Sequence, residues 1–420
     1  MDGIRSGSNM SDVRGVNRSI VFEAIRNLGP ISRSEIAVMT KLTPTTITKI
    51  VNELLRERLI MESGKEGNPG PGRNRILLRL NPKAAYVVGV GFDRTGITTA
   101  VTDLDAHVVS GPEVRISAGR EVVSPLDLMA SIRNAIHLSK VDRQKIIGIG
   151  VAAPGPLDVA RGIIESPPNL KGWTGVKLRE MVEDEFGVPM YLENDANACA
   201  LAERWFGCAT NVSNFVYIRT TSGIGGGVFI GGELYRGETG GAGEIGHITI
   251  DINGPRCECG NRGCVELYAS TSLIMRRVIN AIQGGQTTRI ADFLDTHSES
   301  GGLSLEMIGK AAREGDEFAK QVISEVAGAL GVAAVNAVNL FNPELVVFGG
   351  ELSDAWDDLL IRPIAEIVRD RGWGDSARIV RVVRGALGKE ALIIGAATMA
   401  IRELVRRPTL GVSRALVAGR

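Results

Sequence analysis

Residues 247–266 read HITIDINGPRCECGNRGCVE, and this stretch decides how the rest of the chain is interpreted. Zinc in proteins is held by about four soft or borderline ligands in a tetrahedral array. The stretch supplies that number as one imidazole and three thiols, those of His247, Cys257, Cys259 and Cys264. Four protein ligands leave no position for water, so we predict one structural Zn²⁺ per chain. The glycines beside the cysteines permit tight turns, which disfavours the alternative of three incidental buried cysteines.

The bulk composition indicates a globular protein of several domains. The chain has 420 residues, of which 44% are hydrophobic, and it can bury more than one core. Apolar stretches such as 146–153 are shorter than the roughly 20 residues that span a bilayer, and residues 1–15 are polar rather than signal-like. We therefore expect a soluble, cytoplasmic protein with no membrane partner. In that compartment the other two thiols, those of Cys199 and Cys208, are expected to be inert.

The long remainder of the chain alternates between strands and helices in two similar series. In the first series, three short strands precede a helix and a buried apolar strand, at residues 86–92, 98–104, 108–116, 125–138 and 146–152. In the second series, three strands precede helices and another apolar strand, at residues 215–219, 226–230, 248–250 and 345–348. This duplicated βββαβα pattern predicts an α/β, two-lobed, actin-like ATPase (sugar kinase) fold with ligands in the cleft between the lobes.

The first 80 residues predict a separate winged helix-turn-helix domain. Helices are expected at 18–28, at 32–39 and from Thr43 onward, with Ser32 and Thr43 as N-caps. Strands at 59–62 and 73–80 around a Gly/Pro-rich loop then predict a wing. The chain is accordingly divided into a leader (1–17, a candidate disordered segment), a DNA-binding domain (18–80), a linker (81–85), the two-lobed body (86–405) and a tail (406–420).

The N-terminal domain has the positive charge expected of a DNA reader. Residues 1–80 contain 13 Lys and Arg against 8 Asp and Glu, whereas the remainder contains 35 against 40. A recognition helix presents its N-terminal residues to the major groove, and the wing adds further contacts. The candidate DNA-binding residues are Thr45, Thr46, Thr48, Lys49, Arg73 and Arg75. Winged-helix readers pair across two-fold operators, so we expect a homodimer or tetramer; a winged helix used only for protein contacts is the alternative.

The cysteine motif points to a known family. The pattern Cys-x-Cys-Gly-x-x-Gly-Cys-x-Glu at 257–266, preceded by Glu-Ile-Gly-His at 244–247, resembles the signature of the ROK family of repressors and sugar kinases. With a winged helix in front, the chain is similar to the repressor branch, typified by xylose, N-acetylglucosamine and glucose-regulon repressors. The resemblance implies a repressor of carbohydrate-metabolism genes whose affinity for operator DNA changes when a sugar or sugar phosphate binds. Activation in place of repression is an open alternative.

The resemblance also implies a sugar pocket. Carboxylates and amides at a strand's carboxyl end can bridge sugar hydroxyls, and Glu193, Asn194 and Asp195 follow an apolar strand. By resemblance, the sugar-binding residues are Asn194, Asp195, Glu244, His247 and Glu266, with Asn169 as a weaker candidate. For Glu193, a salt-bridged structural role is an equal alternative.

The phosphate-binding loops distinguish a sensor from an enzyme. In family kinases, the residue that matches Asp195 is the general base that takes a proton from the sugar hydroxyl as this hydroxyl attacks ATP. Residues 221–227 resemble the second phosphate loop of these kinases. Their first loop reads Asp-x-Gly-Gly-Thr, whereas Gly91, Asp93 and Arg94 replace its aspartate and both glycines here. We therefore predict a pseudo-kinase that serves as a sensor. An ATP-dependent sugar kinase with a regulatory DNA-binding domain is one alternative, and a regulator that ignores free sugar and answers to a protein partner is another.

Overall fold

The structure, a computed structural model, describes residues 10–66, 75–93, 96–116, 123–167, 170–294 and 302–406. These residues form two compact units. The described parts of Met1–Val151, Lys177–Leu192 and Ala396–Arg420 make up the first unit, and those of Ala152–Val176 and Glu193–Gly395 make up the second.

The N-terminal part of the first unit is a group of three helices with a small antiparallel sheet. Its elements are α1 (Met10–Leu28), β1 (Ile31–Ser32), α2 (Arg33–Thr40), α3 (Pro44–Arg56), β2 (Ile60–Glu66) and β3 (Arg75–Leu80). The sheet has the order β1-β3-β2, and its register shifts between Glu62 and Gly64. The predicted helix-turn-helix and the two wing strands are confirmed. Strand β1 was not predicted, because two residues are too few to show an alternating pattern.

The caps that the sequence predicts for α2 and α3 are present. Ser32 N donates to Glu35 Oε2 (2.9 Å) and Ser32 Oγ accepts from Glu35 N (3.4 Å), which is the reciprocal arrangement of a capping box. Thr43 Oγ1 accepts from Thr46 N (3.3 Å), and a proline follows in the first turn of α3. The buried face of α3 consists of Ile47, Ile50, Val51 and Leu54. Its opposite face is therefore available to solvent.

Helix α1 extends further toward the N-terminus than the sequence predicts, because ion pairs hold its first turns. Residues 10–17, assigned to the leader, are helical, and residues 1–9 lie outside the described residues. Arg14 Nη2 lies 2.6 Å from Glu53 Oε1 on α3. The buried Arg18 pairs with Glu53 (3.5 Å) and with Glu57. The partners are distant in sequence, so no local pattern marks this part of the helix.

The following segment is built on a five-stranded sheet. In chain order its elements are β4 (Tyr86–Phe92), β5 (Gly96–Asp103), β6 (Glu113–Ile116), α4 (Pro125–Ser139), β7 (Ile146–Ala153), β8 (Leu157–Asp158), β9 (Ile163–Ile164), β10 (Val176–Lys177), α5 (Leu178–Phe186) and β11 (Met190–Asn194). The sheet has the order β11-β7-β4-β5-β6, with β4–β5 and β5–β6 antiparallel. Strands β8, β9 and β10 form a separate small sheet.

The second unit repeats this plan. Its remaining elements are α6 (Asp195–Phe206), β12 (Phe215–Thr220), β13 (Ile224–Ile230), β14 (Glu233–Tyr235), α7 (Glu266–Ala269), α8 (Thr271–Gln283), α9 (Leu305–Arg313), α10 (Glu317–Phe341), β15 (Leu345–Gly349), α11 (Glu351–Ala355), α12 (Asp357–Arg371), α13 (Ser376–Ile379), β16 (Arg381–Arg384) and α14 (Ala391–Arg406), whose last turns belong to the first unit. The sheet order β14-β13-β12-β15-β16 pairs an antiparallel meander with two parallel strands. Strand for strand this matches the first sheet, so the duplicated βββαβα pattern is confirmed.

The third strand of the second series lies elsewhere than predicted. Strand β14 follows β13 through a turn at Gly231 and Gly232, whose φ angles are +60° and +84°. Two-residue hairpin turns of this kind require positive φ at both positions. Residues 248–250, predicted as the strand, contribute one bridge between Thr249 and Cys264. That prediction is wrong. Ile248 and Ile250 pack on the core of the second unit, and this packing, rather than a strand, explains their apolar side chains.

Helix α10 is the core helix of the second unit. Among the described helices it alone is long and apolar enough to cross a membrane, yet 67% of its most apolar window is buried inside the protein. Its composition is therefore explained by packing. A side-chain carbon at Gly331 would lie 2.7 to 3.0 Å from three atoms of Ile367 on α12, whereas nothing lies within 4 Å at Gly328. Gly331 thus provides the room in which Ile367 of α12 packs against α10.

We expect Gly331→Ala to lower the thermal unfolding midpoint of the full chain, because overpacking a core costs roughly 1–3 kcal/mol. The matched variant Gly328→Ala on the same helix gains about 0.5–1 kcal/mol of helix propensity without a clash and should raise the midpoint. Differential scanning calorimetry of both variants measures the contrast. Equal shifts for the two would show that Gly331 does not set the spacing of α10 and α12.

Candidate functional site

The predicted metal ligands come together in one cluster at the loop 247–266. One ligand atom from each of His247, Cys257, Cys259 and Cys264 lies within 4.8 Å of the others. Cys259 Sγ and Cys264 Sγ are 3.8 Å apart, and Cys257 Sγ lies 3.7 Å from His247 Nδ1. A tetrahedral ion with Zn–S bonds of about 2.3 Å holds its sulfur ligands roughly 3.8 Å apart. The donors and their spacing therefore fit a four-coordinate metal ion.

Backbone hydrogen bonds define the shape of this loop. Cys257 N donates to Asn261 O (2.8 Å), and Val265 N donates to Ile248 O (3.0 Å). Gly263 has a φ of +62°, and a side-chain carbon there would lie 1.7 Å from a backbone oxygen. Only glycine fits this position, so the chain itself holds the cysteines close to one another.

The three thiols of the cluster differ in acidity. Burial raises the pKa of Cys264 to about 12 and also raises the pKa of Cys257. The hydrogen bond from the Asn261 backbone N–H lowers the pKa of Cys259. Because a metal binds thiolates, it must displace protons from the two buried thiols. Metal affinity of this cluster should therefore fall as the pH is lowered.

The junction of β11 and α6 places two candidate sugar ligands at a helix N-terminus. Asn194 is the N-cap of α6, and its Oδ1 accepts from Ala196 N (3.0 Å) and Asn197 N (3.3 Å). Asp195 Oδ1 accepts from Ala196 N (2.7 Å). The amide oxygen of Asn194 is thus committed to the helix, and its Nδ2 group is left as the donor. A carboxylate at this position is favoured by the helix dipole.

Asp195 has a cationic partner that the sequence does not predict. Its Oδ2 accepts from Arg219 Nη1 at 2.7 Å, and the same nitrogen lies 3.0 Å from Thr221 Oγ1. The two charged side chains are largely buried, at 16% and 13% exposure. They are 24 positions apart in the chain, and no sequence motif links them.

Glu193 lies in a salt-bridged environment, which is one of the two alternatives that the sequence offers for this residue. It is buried at 2% exposure, and its Oε2 accepts from both Nε and Nη2 of Arg236 (2.9 and 2.6 Å). Its Oε1 accepts from Asn197 Nδ2 (3.2 Å). Both carboxylate oxygens are therefore occupied by the protein, which favours the salt-bridged role.

Three further candidates lie in one electrostatic cluster with Asp195. Burial raises the pKa of Glu244, His247 opposes the rise, and Asp195 and Glu266 add to it. Glu266, at the start of α7, accepts from Ile224 N through Oε2 (3.0 Å). The predicted residues Asp195, Glu244, His247 and Glu266 are thus brought near one another, whereas Asn169 lies outside the described residues.

A cavity of about 210 Å³ adjoins this cluster. Its walls include two predicted residues, Asn194 and Glu244, and two that the sequence did not single out, Glu165 and Asn197. Gly-rich segments around Gly155 and Gly241 supply much of the remaining wall. Glu165 and Asn197 carry no motif of their own, so only the folded chain shows that they face this cavity.

In both predicted phosphate loops, backbone groups form hydrogen bonds with other residues of this chain. At the first, Asp93 N donates to Gly96 O (3.0 Å) and Asp93 Oδ1 accepts from Gly96 N (3.2 Å), so Asp93 closes the turn after β4; Arg94 lies outside the described residues. At the second, residues 224–227 are not a loop but pair with 217–220 as strand β13. The glycines there allow close packing under the hairpin: a side-chain carbon at Gly227 would lie 2.6 Å from Ala200 Cβ.

The DNA-binding candidates lie where the sequence predicts them on α3. Thr45, Thr48 and Lys49 are exposed, and Thr48 Oγ1 donates to a backbone oxygen one turn earlier (2.8 Å). Thr46 is half-buried, and its hydroxyl lies 2.9 Å from the hydroxyl of the N-cap. Arg75 on β3 is 3.9 Å from Glu35, and Arg73 lies outside the described residues.

Comparison with known proteins gives the family. The ROK family pattern matches residues 87–403. The xylose repressor of Bacillus subtilis (strain 168) is 30% identical over 389 residues, which are 93% of this chain and 96% of that repressor. A crystal structure of a ROK family transcriptional regulator, a homolog of the E. coli MLC protein, matches with a TM-score of 0.79 and 28% identity over 97% of this chain and 100% of its own.

A ROK family glucokinase from Streptomyces griseus, solved with glucose and AMPPNP, also matches. Its TM-score is 0.66 at 29% identity, and the match covers 100% of the kinase but 76% of this chain. The sequence match and the shared fold agree, and the chain belongs to the ROK family.

Proposed function

We propose that this chain is a sugar-responsive transcription repressor of carbohydrate-metabolism genes. The observation that carries the proposal is the winged helix in front of the ROK body. The xylose repressor and the transcriptional regulator match nearly the whole chain, whereas the glucokinase matches 76% of it. The exposed Thr45, Thr48 and Lys49 at the start of α3 have the hydroxyls and the cation that suit base edges and phosphates.

The proposal assigns a task to each segment. Residues 18–80 bind double-stranded operator DNA, and residues 86–405 sense a sugar or sugar phosphate. Residues 81–85 link these two parts of the chain. The protein acts in the cytoplasm as a homodimer or tetramer, because two-fold operators are read by paired winged helices.

In the proposed sugar site, each polar group has a defined task. Asn194 Nδ2 donates to a sugar hydroxyl, and the carboxylates of Asp195, Glu244 and Glu266 accept from others. A structural zinc at Cys257, Cys259, Cys264 and His247 would fix the orientation of the imidazole. Because His247 Nδ1 faces Cys257 Sγ at 3.7 Å, its other ring nitrogen is left for the sugar. Asn169 is kept as a weaker candidate.

The first predicted phosphate loop favours a sensor over an enzyme, so we infer a pseudo-kinase. Asp93 closes the first turn with its carboxylate, where a phosphate-binding loop would need open backbone N–H groups. A sugar kinase with a regulatory DNA-binding domain is the alternative, and the presence of Asp195 is the observation that favours it.

Repression would respond to sugar through a change of state. A ligand shifts an equilibrium between two conformations only by its difference in affinity for them. We therefore infer that the sugar binds one global state better, and that this state has a different affinity for the operator.

A band-shift assay on the DNA upstream of the protein's own gene tests the proposal. We expect retardation without sugar, and release by at least one member of a panel of D-xylose, D-glucose, N-acetyl-D-glucosamine and their phosphates. Asp195→Asn should bind the DNA as the unmodified protein does but need roughly tenfold or more sugar for release. Incubation of the same panel with ATP should yield no ADP above background.

Three results would count against this account. A shift that persists with every sugar would favour control by a protein partner. Sugar-dependent ADP release would establish the kinase. An unchanged sugar response in Asp195→Asn would remove that residue from the site.

The metal assignment has its own test. Cys259→Ser should reduce bound zinc from about one ion per chain to near zero after dialysis, because a tetrahedral site then lacks one thiolate. The matched control Cys208→Ser changes a half-buried thiol outside the cluster and should keep its zinc. Elemental analysis of both proteins gives the answer, and full zinc occupancy in Cys259→Ser would refute the ligand set.

A further inference from the structure

Arg219 occupies an unusual position in the second sheet. It lies on the central strand β12, opposite Gly225 on β13 and opposite Gly349 on β15. Residues opposite one another on paired strands point to the same face of a sheet. Both neighbours of Arg219 on that face therefore lack a side chain. A side-chain carbon would lie 2.8 Å from Ala196 Cβ at Gly225 and 1.9 Å from Tyr217 Oη at Gly349, so the space beside Arg219 is closely packed.

The guanidinium connects the proposed sugar site with a second cavity. On one side Arg219 Nη1 donates to Asp195 Oδ2 at 2.7 Å. On the other side Arg219 lines a cavity of about 490 Å³, together with Thr221, Gly350 and Lys389. Its bond to Thr221 Oγ1 (3.0 Å) holds it at this border.

The ion pair completes the fixation of the Asp195 carboxylate. Oδ1 accepts from Ala196 N at 2.7 Å, and Oδ2 accepts from Arg219. With one bond to each oxygen, the carboxylate cannot rotate without breaking a charge-assisted hydrogen bond. Its remaining lone pairs therefore point in set directions. Without Arg219 this largely buried carboxylate would keep its bond from Ala196 N and, within the described parts of the chain, no ion pair.

We propose that Arg219 is the positioning residue of the sugar site. It holds Asp195 as a fixed acceptor for a sugar hydroxyl, and the same residue lines the 490 Å³ cavity. This inference rests on the proposed binding of sugar at Asp195.

Calorimetric titration of the full-length, zinc-loaded protein tests the inference. The probes are D-xylose, D-glucose and N-acetyl-D-glucosamine, and the variants are Arg219→Gln, Arg219→Lys, Asp195→Asn and the double variant Arg219→Gln/Asp195→Asn. We expect the unmodified protein to bind at least one sugar, and Arg219→Gln to bind it about tenfold to a hundredfold more weakly. Arg219→Lys should recover part of the loss. The double variant should be no weaker than Asp195→Asn, because Arg219 acts through Asp195.

Lys389→Gln is the matched control, since it removes another cation of the same cavity, and it should leave sugar affinity unchanged. Full affinity in Arg219→Gln would overturn the role of Arg219 while sugar binding stands. Strictly additive losses in the double variant would overturn action through Asp195. Absence of binding by the unmodified protein would overturn both this inference and the proposed function. Should Arg219→Gln fail to fold, Arg219→Met, which keeps the volume and removes the charge, takes its place with the same expected loss.

Discussion

The conformation of the loop 247–266 is the constraint on which the proposed sugar site depends. Its first residue is His247, whose Nδ1 lies 3.7 Å from Cys257 Sγ. His247 also opposes the rise that burial causes in the pKa of Glu244. Its last residue, Glu266, follows the third cysteine closely and bonds to the turn that opens β13. Backbone hydrogen bonds such as those from Cys257 N to Asn261 O and from Val265 N to Ile248 O hold the path of the loop, and Gly263 admits no side chain. A displacement of this loop therefore moves His247 and Glu266 together, and metal binding and sugar recognition are expected to be coupled.

The differences between a sensor and an enzyme in this family need not lie in the sugar-facing residues. Asp195, which by resemblance matches the kinase base, is present and is bonded to Arg219. In the first unit, Asp93 accepts from Gly96 N through its carboxylate. The proposed role as a sensor rests on such contacts, because they occupy groups that phosphoryl transfer would need to be open.

The sequence predicted those features that depend on neighbours in the chain. The capping box of Ser32 and Glu35, the Thr43 cap and the cysteine spacing are local signals, and the structure reproduces each of them. The doubled order of strands was also readable, because central strands are continuous apolar runs. The early start of α1 and the pair of Asp195 with Arg219 were not readable, since their partners are 39 and 24 positions away. Strand β14 was misplaced because it is three residues long, whereas Ile248 and Ile250 alternate as the residues of a half-buried strand do.

Because one loop carries both the metal ligands and two of the proposed sugar ligands, the coupling of metal and sugar binding is measurable as a linkage. The protein is titrated calorimetrically, once loaded with zinc and once stripped by a chelator, with whichever of D-xylose, D-glucose and N-acetyl-D-glucosamine binds most tightly. We expect stripping to weaken sugar binding by about tenfold or more, and sugar to tighten zinc binding by the same factor. Equal sugar affinity in the loaded and stripped proteins, with both folded, would show that metal and sugar binding are not coupled.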